Sequence, residues 1–234
     1  MAIRKLTGAL LLTASMGAIA AEPVDDVVAS DPFEGLNRAV FAFNDVLDTY
    51  ALRPIALGYH YITPDFMEAG IGNFFDNLGE VSNVLNNGLQ GKFADAGGDL
   101  SRLALNTTIG LLGLFDVATE MGLEQHDEDF GQTLGVWGVS SGPYLMLPLL
   151  GPSTVRDTAG LVVDYAADPV NWLDDQGDKN AATIVRVIDT RSRLLASESL
   201  ISGDKYSFIR DAYMQRREFS ISDGEITDFD DSNF

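Results

Sequence analysis

Residues 130–157 read Phe-Gly-Gln-Thr-Leu-Gly-Val-Trp-Gly-Val-Ser-Ser-Gly-Pro-Tyr-Leu-Met-Leu-Pro-Leu-Leu-Gly-Pro-Ser-Thr-Val-Arg-Asp, and this stretch decides what fold the chain can adopt. It is strongly apolar, yet glycine or proline interrupts it every three to six residues. Pro143, Pro148 and Pro152 each remove an amide donor and clash with the preceding turn, so it cannot be one helix. A membrane-crossing helix is excluded as well, because it needs about 20 unbroken apolar residues. Irregular apolar backbone still carries polar groups that need partners, so it must be sheltered. The stretch is therefore either the middle of a core or the lining of an apolar site.

The chain around it has 234 residues, enough for one sizeable core or two small domains. Arg4 and Lys5, the apolar run Leu6 to Ile19 and the small-x-small pattern Ala18-Ile19-Ala20 read as a secretory signal peptide over residues 1–21, cleaved after Ala20 or Ala21. The chain contains no cysteine, so an exported fold would rest on packing without disulfides, and no thiol is present to acylate. Without Arg4 and Lys5 there remain 13 basic residues against 35 acidic ones, a net charge of −22. That argues against nucleic acid, which needs a basic face, and against electrostatic docking on anionic lipid. With 46% hydrophobic residues, any membrane contact would be made by apolar area.

Residues 22–30 form a polar lead-in. Asp31-Pro32-Phe33-Glu34 predicts a helix start with Asp31 as N-cap. Leu36, Val40, Phe43 and Leu47 follow at helical spacing, with Asn37, Arg38, Asn44, Asp45 and Asp48 opposite, and an end near Leu52 before Arg53-Pro54. Pro54 and Pro64 open further helices. In the second, Gly70 and Gly72 mark either a kink or a close backbone approach. Glu80 to Leu89 continues as helix, with Val81, Val84, Leu85 and Leu89 on one side and Asn83, Asn86 and Asn87 beside them. Ala94 to Val117 is the longest apolar region, and by itself it favours a buried helix pair over a helix lying in a lipid interface. Glu124 to Asp129 is a short acidic loop. Ser153 or Thr154 caps a helix to about Tyr165, Asp168-Pro169 breaks it, and Gly177 to Asn180 is a polar turn. Ala181 to Ser199 and Asp204 to Phe219 are amphipathic helices, and an acidic disordered tail follows over 220–234. The fold class is mainly α: a single domain over 31–219, with broken amphipathic helices and room for one short hairpin; the resemblance given below implies that it is compact and ring-like or disc-like.

Nothing in the chain demands an enzyme or a cofactor. Gly138-Val139-Ser140-Ser141-Gly142 matches a nucleophile elbow, but both histidines, His60 and His126, precede the serine, and the elbow needs a strand before it and a helix after. His126 with Asp127 and Asp129 is a weak metal cluster, and no calcium-loop or phosphate-loop spacing is complete. Each of these has a plainer reading as a solvated polar turn.

Several pieces in order carry a resemblance. They are residues 31–38 with Phe41, Phe43, Asn44 and Val46-Leu47-Asp48; Arg53-Pro54; Phe74 with Asn77-Leu78; Leu105-Asn106-Thr107 with Ile109-Gly110; Asp116-Val117-Ala118; Phe130 to Gly135; Gly142-Pro143-Tyr144 with Leu147-Pro148; Arg156-Asp157; and Ala212-Tyr213 with Gln215-Arg216. Together they resemble the MlaA (VacJ) family over about Asp31 to Glu218.

The resemblance implies a non-enzymatic, mainly helical ring in the inner leaflet of the outer membrane. Through its amphipathic channel, phospholipids misplaced in the outer leaflet would pass inward, maintaining lipid asymmetry. It implies a trimeric porin as partner and the periplasmic lipid carrier MlaC as acceptor. A porin-associated scaffold that moves no lipid is the alternative. The absent cysteine departs from the family's usual lipid anchor. Matching the first motif places Phe43 and Asn44 where the family's channel is sensitive, and Phe41 lies beside them. Gly110 to Phe115 and Gly135 to Tyr144 are the expected channel backbone, making Leu111, Leu114, Phe115, Trp137 and Tyr144 further lipid-path candidates, with core packing as the alternative for each apolar side chain. The acidic loop is expected at the watery edge of the path.

Overall fold

A computed structural model describes residues 31–224; the expected signal peptide and residues 225–234 of the expected tail lie outside them. The first helix, α1 (Glu34–Leu47), begins three residues after Asp31 and has no side-chain cap. The expected N-cap is corrected: the Asp31 carboxylate accepts from Asn37 Nδ2 at 2.8 Å and from the Tyr206 hydroxyl, holding the start of α1 against the last helix. Nor does the chain break before Arg53-Pro54. A π-helical turn, Asp48–Leu52, leads straight into α2 (Arg53–Ile62), with Arg53 fully helical at φ −59°. The wider turn resets the helix register, so Pro54 falls in a first turn, where a missing amide costs nothing.

The central element is α3 (Asp65–Gln90), closed by Gly91 at φ 82°. It folds back on α4 (Phe93–Thr108). The seam between them is polar: Asn77 donates to Thr107, Glu80 pairs with Arg102, and Asn87 donates to Asp99. These residues recur at helical spacing, so each helix is amphipathic with its polar stripe turned inward. The expected buried apolar pair over Ala94 to Val117 is therefore corrected. Asp99, Arg102 and Asn106 are buried, while Leu100, Ile109, Leu111, Leu112, Leu114 and Phe115 are exposed. Likewise Asn83, Asn86 and Asn87 are buried and Leu85 and Leu89 exposed, and on α1 Asn37 is buried while Leu36 and Phe43 are exposed.

After α4 the chain coils through 109–116, with Leu111, Leu112 and Gly113 all in the left-handed region. Gly113 is required there, because a Cβ would lie 2.5 Å from Cβ of Asn77. The short α5 (Val117–Glu120) is capped by Asp116. Residues 130–157 then resolve into α6 (Phe130–Val136), the antiparallel hairpin β1 (Tyr144–Leu147) and β2 (Gly151–Thr154), and the start of α7 (Val155–Ala167), capped by Thr154 as the sequence predicts. A 3-10 turn, Pro169–Trp172, precedes α8 (Gln176–Leu194). The expected polar turn at Gly177 to Asn180 is instead the first turn of α8, because Asp175 caps the amides of Gly177 and Asp178. Finally α9 (Lys205–Ile221) runs two residues beyond the expected boundary at 219.

The contacts close a circuit: α1 meets the hairpin, the hairpin α9, α9 meets α6, α6 meets α3, α3 meets α8, and α8 meets α2, which leads back to α1. The apolar core is small. Tyr144, Met146 and Tyr206 lie at its centre, with Val40, Phe41, Ile209, Tyr213 and Met214 packed against them.

Candidate functional site

Residues of α3, α7 and α8, with Asp129 before α6 and Asp168 after α7, line an open cavity of about 400 Å³. Helical spacing sets its walls. Leu161, Asp164 and Asp168 line one face of α7; Arg186, Thr190 and Arg193 line one face of α8; Phe75, Gly79 and Ser82 line one face of α3. The lining is amphipathic. Phe75, Leu78 and Leu161 are apolar, while the remainder is largely charged. Gly79 leaves a gap in the α3 wall, with nothing within 4 Å of a Cβ placed there.

Most of the charges are matched. Arg186 holds Asp168 through both terminal nitrogens, at 2.6 and 3.0 Å, and lies over the Phe75 ring. Arg193 bridges Asp76 at 3.0 Å and Asp189 at 3.1 Å. Asp129 caps α6 and is held by Arg217 of α9. Asp164 alone among the lining acids has no hydrogen-bonded arginine, although the charge of Arg217 acts on it. It accepts the Phe130 amide at 2.8 Å. Burial, aided by the charge of Asp129, pushes its carboxyl up to about 6 despite that amide. Burial also raises Asp76, against the pull of Arg193.

The acidic loop is not a solvated turn. His126 Nδ1 meets the fully buried Asp99 at 2.6 Å, Glu128 takes Gln90 at 2.7 Å and Lys92 at 3.2 Å, and Asp127 takes Arg216 at 2.5 Å. Burial works to lower the His126 pKa, but the hydrogen bond and charge of Asp99 raise it overall. The loop is thus a strap, tied to α3, α4 and α9. Of its residues, Asp129 lines the cavity. His126, Asp127 and Asp129 turn to three different partners, so they do not converge as metal ligands. Ser140 sits in an exposed loop after a helix rather than after a strand, and His60 and His126 face Glu68 and Asp99 instead.

None of the eight lipid-path candidates lines this cavity. Leu111, Leu114 and Phe115 share one exposed loop, and Phe43 and Trp137 are exposed elsewhere. Phe41 and Tyr144 pack in the small core beside Tyr206. Asn44 donates to the Leu147 carbonyl and accepts the Leu149 amide, both at 2.9 Å. Two turns earlier, Asn37 does the same for the Tyr144 carbonyl and the Met146 amide, at 3.0 and 2.9 Å. Each carboxamide completes the strand edge that β2 leaves free. The cavity residues on α7 and α8 escape sequence reasoning, because charges on an amphipathic helix look like a solvated face. Charged pairs spaced four and seven residues apart, Asp164 with Asp168 and Arg186 with Arg193, are the available signal.

A family model described as MlaA lipoprotein matches residues 29–220. The intermembrane phospholipid transport system lipoprotein MlaA of Escherichia coli K12 is 36% identical over 228 residues, covering 95% of this chain and 90% of that protein. Its Haemophilus influenzae counterpart is 31% identical over 210 residues, covering 87% and 84%. A solved structure reported as the basis for maintenance of bacterial outer membrane lipid asymmetry superposes with TM-score 0.73 at 38% identity, covering 82% of this chain and 99% of that one.

Proposed function

The chain belongs to the MlaA lipoprotein family, and on that premise we propose that it is the outer-membrane component of an intermembrane phospholipid transport system, moving phospholipid and so maintaining lipid asymmetry. The observation that carries this reading is inverted amphipathy. Among the described residues, seven hydrophobic side chains are buried against eighteen polar or charged ones, while large apolar side chains cover the outside. Such a surface is stable when lipid, not water, surrounds it. No described helix is long and apolar enough to cross a membrane; in this reading the protein lies within the inner leaflet. The apolar surface makes the contact, since these 234 residues hold no cysteine to acylate.

In this reading the cavity is the headgroup passage, and Phe43, Leu111, Leu114, Phe115 and Trp137 touch acyl chains on the outside. Phe41, Asn44 and Tyr144 position the hairpin. A trimeric porin and the periplasmic carrier MlaC are its partners, and it carries out no catalysis. Membrane fractionation should recover the chain in the outer membrane with phospholipid bound, and deletion of its gene should raise outer-leaflet phospholipid. A lipid-free protein recovered in the periplasm contradicts the reading; unchanged asymmetry on deletion favours a porin-associated scaffold.

A further inference from the structure

We propose that the cavity selects phospholipids whose headgroup carries a primary ammonium, with the Asp164 carboxylate as its counter-charge. The inference rests on the transport reading and names the class of lipid. Its basis is the charge arrangement of the lining. Asp168, Asp76 and Asp129 are each held by an arginine within hydrogen-bond distance. Asp164 is hydrogen-bonded only by one backbone amide and feels Arg217 only at a distance, so its carboxylate faces the cavity without a bonded cation. Both lining arginines are engaged by carboxylates and leave little for an anionic headgroup.

An anion entering this space would meet an uncompensated carboxylate at low dielectric, where like charges repel strongly. A primary ammonium would gain an ion pair and a charge-assisted hydrogen bond there. Burial is the main cause that raises the Asp164 carboxyl to about 6, and a bound cation would offset that cost. Leu161, one turn before Asp164 on the same face, and Phe75 and Leu78 opposite supply apolar wall for the glycerol backbone and the first acyl carbons. That wall argues for a lipid rather than a free amine.

The test uses the full chain, purified in detergent and reconstituted with equimolar phosphatidylethanolamine and phosphatidylglycerol at pH 7.5. Bound lipid is then extracted and counted by mass spectrometry. The expected result is about fivefold enrichment of phosphatidylethanolamine, equivalent to about 1 kcal/mol, with Asp164→Asn reducing it to parity. Equal binding of the two lipids by the unaltered chain overturns the proposal, as does enrichment that survives Asp164→Asn. Should that variant fail to fold, Asp164→Glu, which keeps the charge but moves it by one methylene, is read instead. Reduced enrichment is then expected, and unchanged enrichment counts against Asp164. Absence of any bound phospholipid in the unaltered chain defeats the transport reading itself, whereas bound lipid without preference defeats only the selectivity.

Discussion

Arg102 of α4 and Glu80 of α3 form an ion pair at 2.7 Å whose side chains are 2% and 1% exposed. Around it Arg102 also donates to the Leu123 carbonyl and the Thr119 hydroxyl, and Asn83 donates to Glu80. Burial pushes the Glu80 carboxyl up, against these bonds. The pair sits where a soluble helical hairpin would place leucines.

Arg102→Met should therefore destabilise the protein by about 3–5 kcal/mol, because Glu80 is left as a buried unpaired charge. Adding Glu80→Leu should recover much of that loss, since an apolar pair of similar volume removes the desolvation cost. Denaturant unfolding in detergent, followed by circular dichroism, reads both. A single variant as stable as the parent would contradict the account.

The Asn44 bracket makes a second prediction. Asn44→Ala leaves the Leu147 carbonyl and the Leu149 amide without their partner, at a cost of about 0.5–1.5 kcal/mol for each bond, since water can reach them. The loss is local, because Asn37 still holds the other end of β1. Amide exchange should accelerate, and protease should cut, at the turn around Leu149 and Leu150, while α3 and α4 stay protected.

Gly79 offers a steric test. Gly79→Ala should stabilise α3 by about 1 kcal/mol through helix propensity alone, since a Cβ there meets open space. Gly79→Trp extends an indole into the 400 Å³ cavity. Outer-leaflet phospholipid should stay at the parental level with the alanine and rise towards the deletion level with the tryptophan, at equal protein abundance.

Asp164 has a pH signature. Its carboxyl is raised to about 6 in the fold, above the ordinary value near 3.9. The stability that the proton confers is present in full below about pH 4 and is lost as pH rises through 6. Ionised Asp164 thus costs the empty protein stability at pH 7.5. Asp164→Asn, whose carboxamide oxygen can still accept the Phe130 amide, should raise the melting temperature at pH 7.5 and give no gain at pH 4. A gain of equal size at both values would assign the effect to something other than this charge.

The sequence by itself determined the helical class, the breaks in the apolar stretch at 130–157 and several helix boundaries. Proline, glycine and capping residues act on their immediate neighbours, so Thr154, Asp168 and Asp204 could be placed as helix starts and stops without a fold. Family membership was legible too, because its motifs are local strings. The tertiary structure alone decided which face of each helix points inward. Periodicity marks two faces of α1, α3 and α4 but carries no sign, and the usual assumption of an apolar interior fails for a chain that turns its polar faces inward. That is why Asn37, Asn83, Asn87 and Arg102 came out buried, and why the cavity around Asp164, built from three helices distant in sequence, was not visible from residues 130–157, the stretch that first suggested a sheltered apolar site.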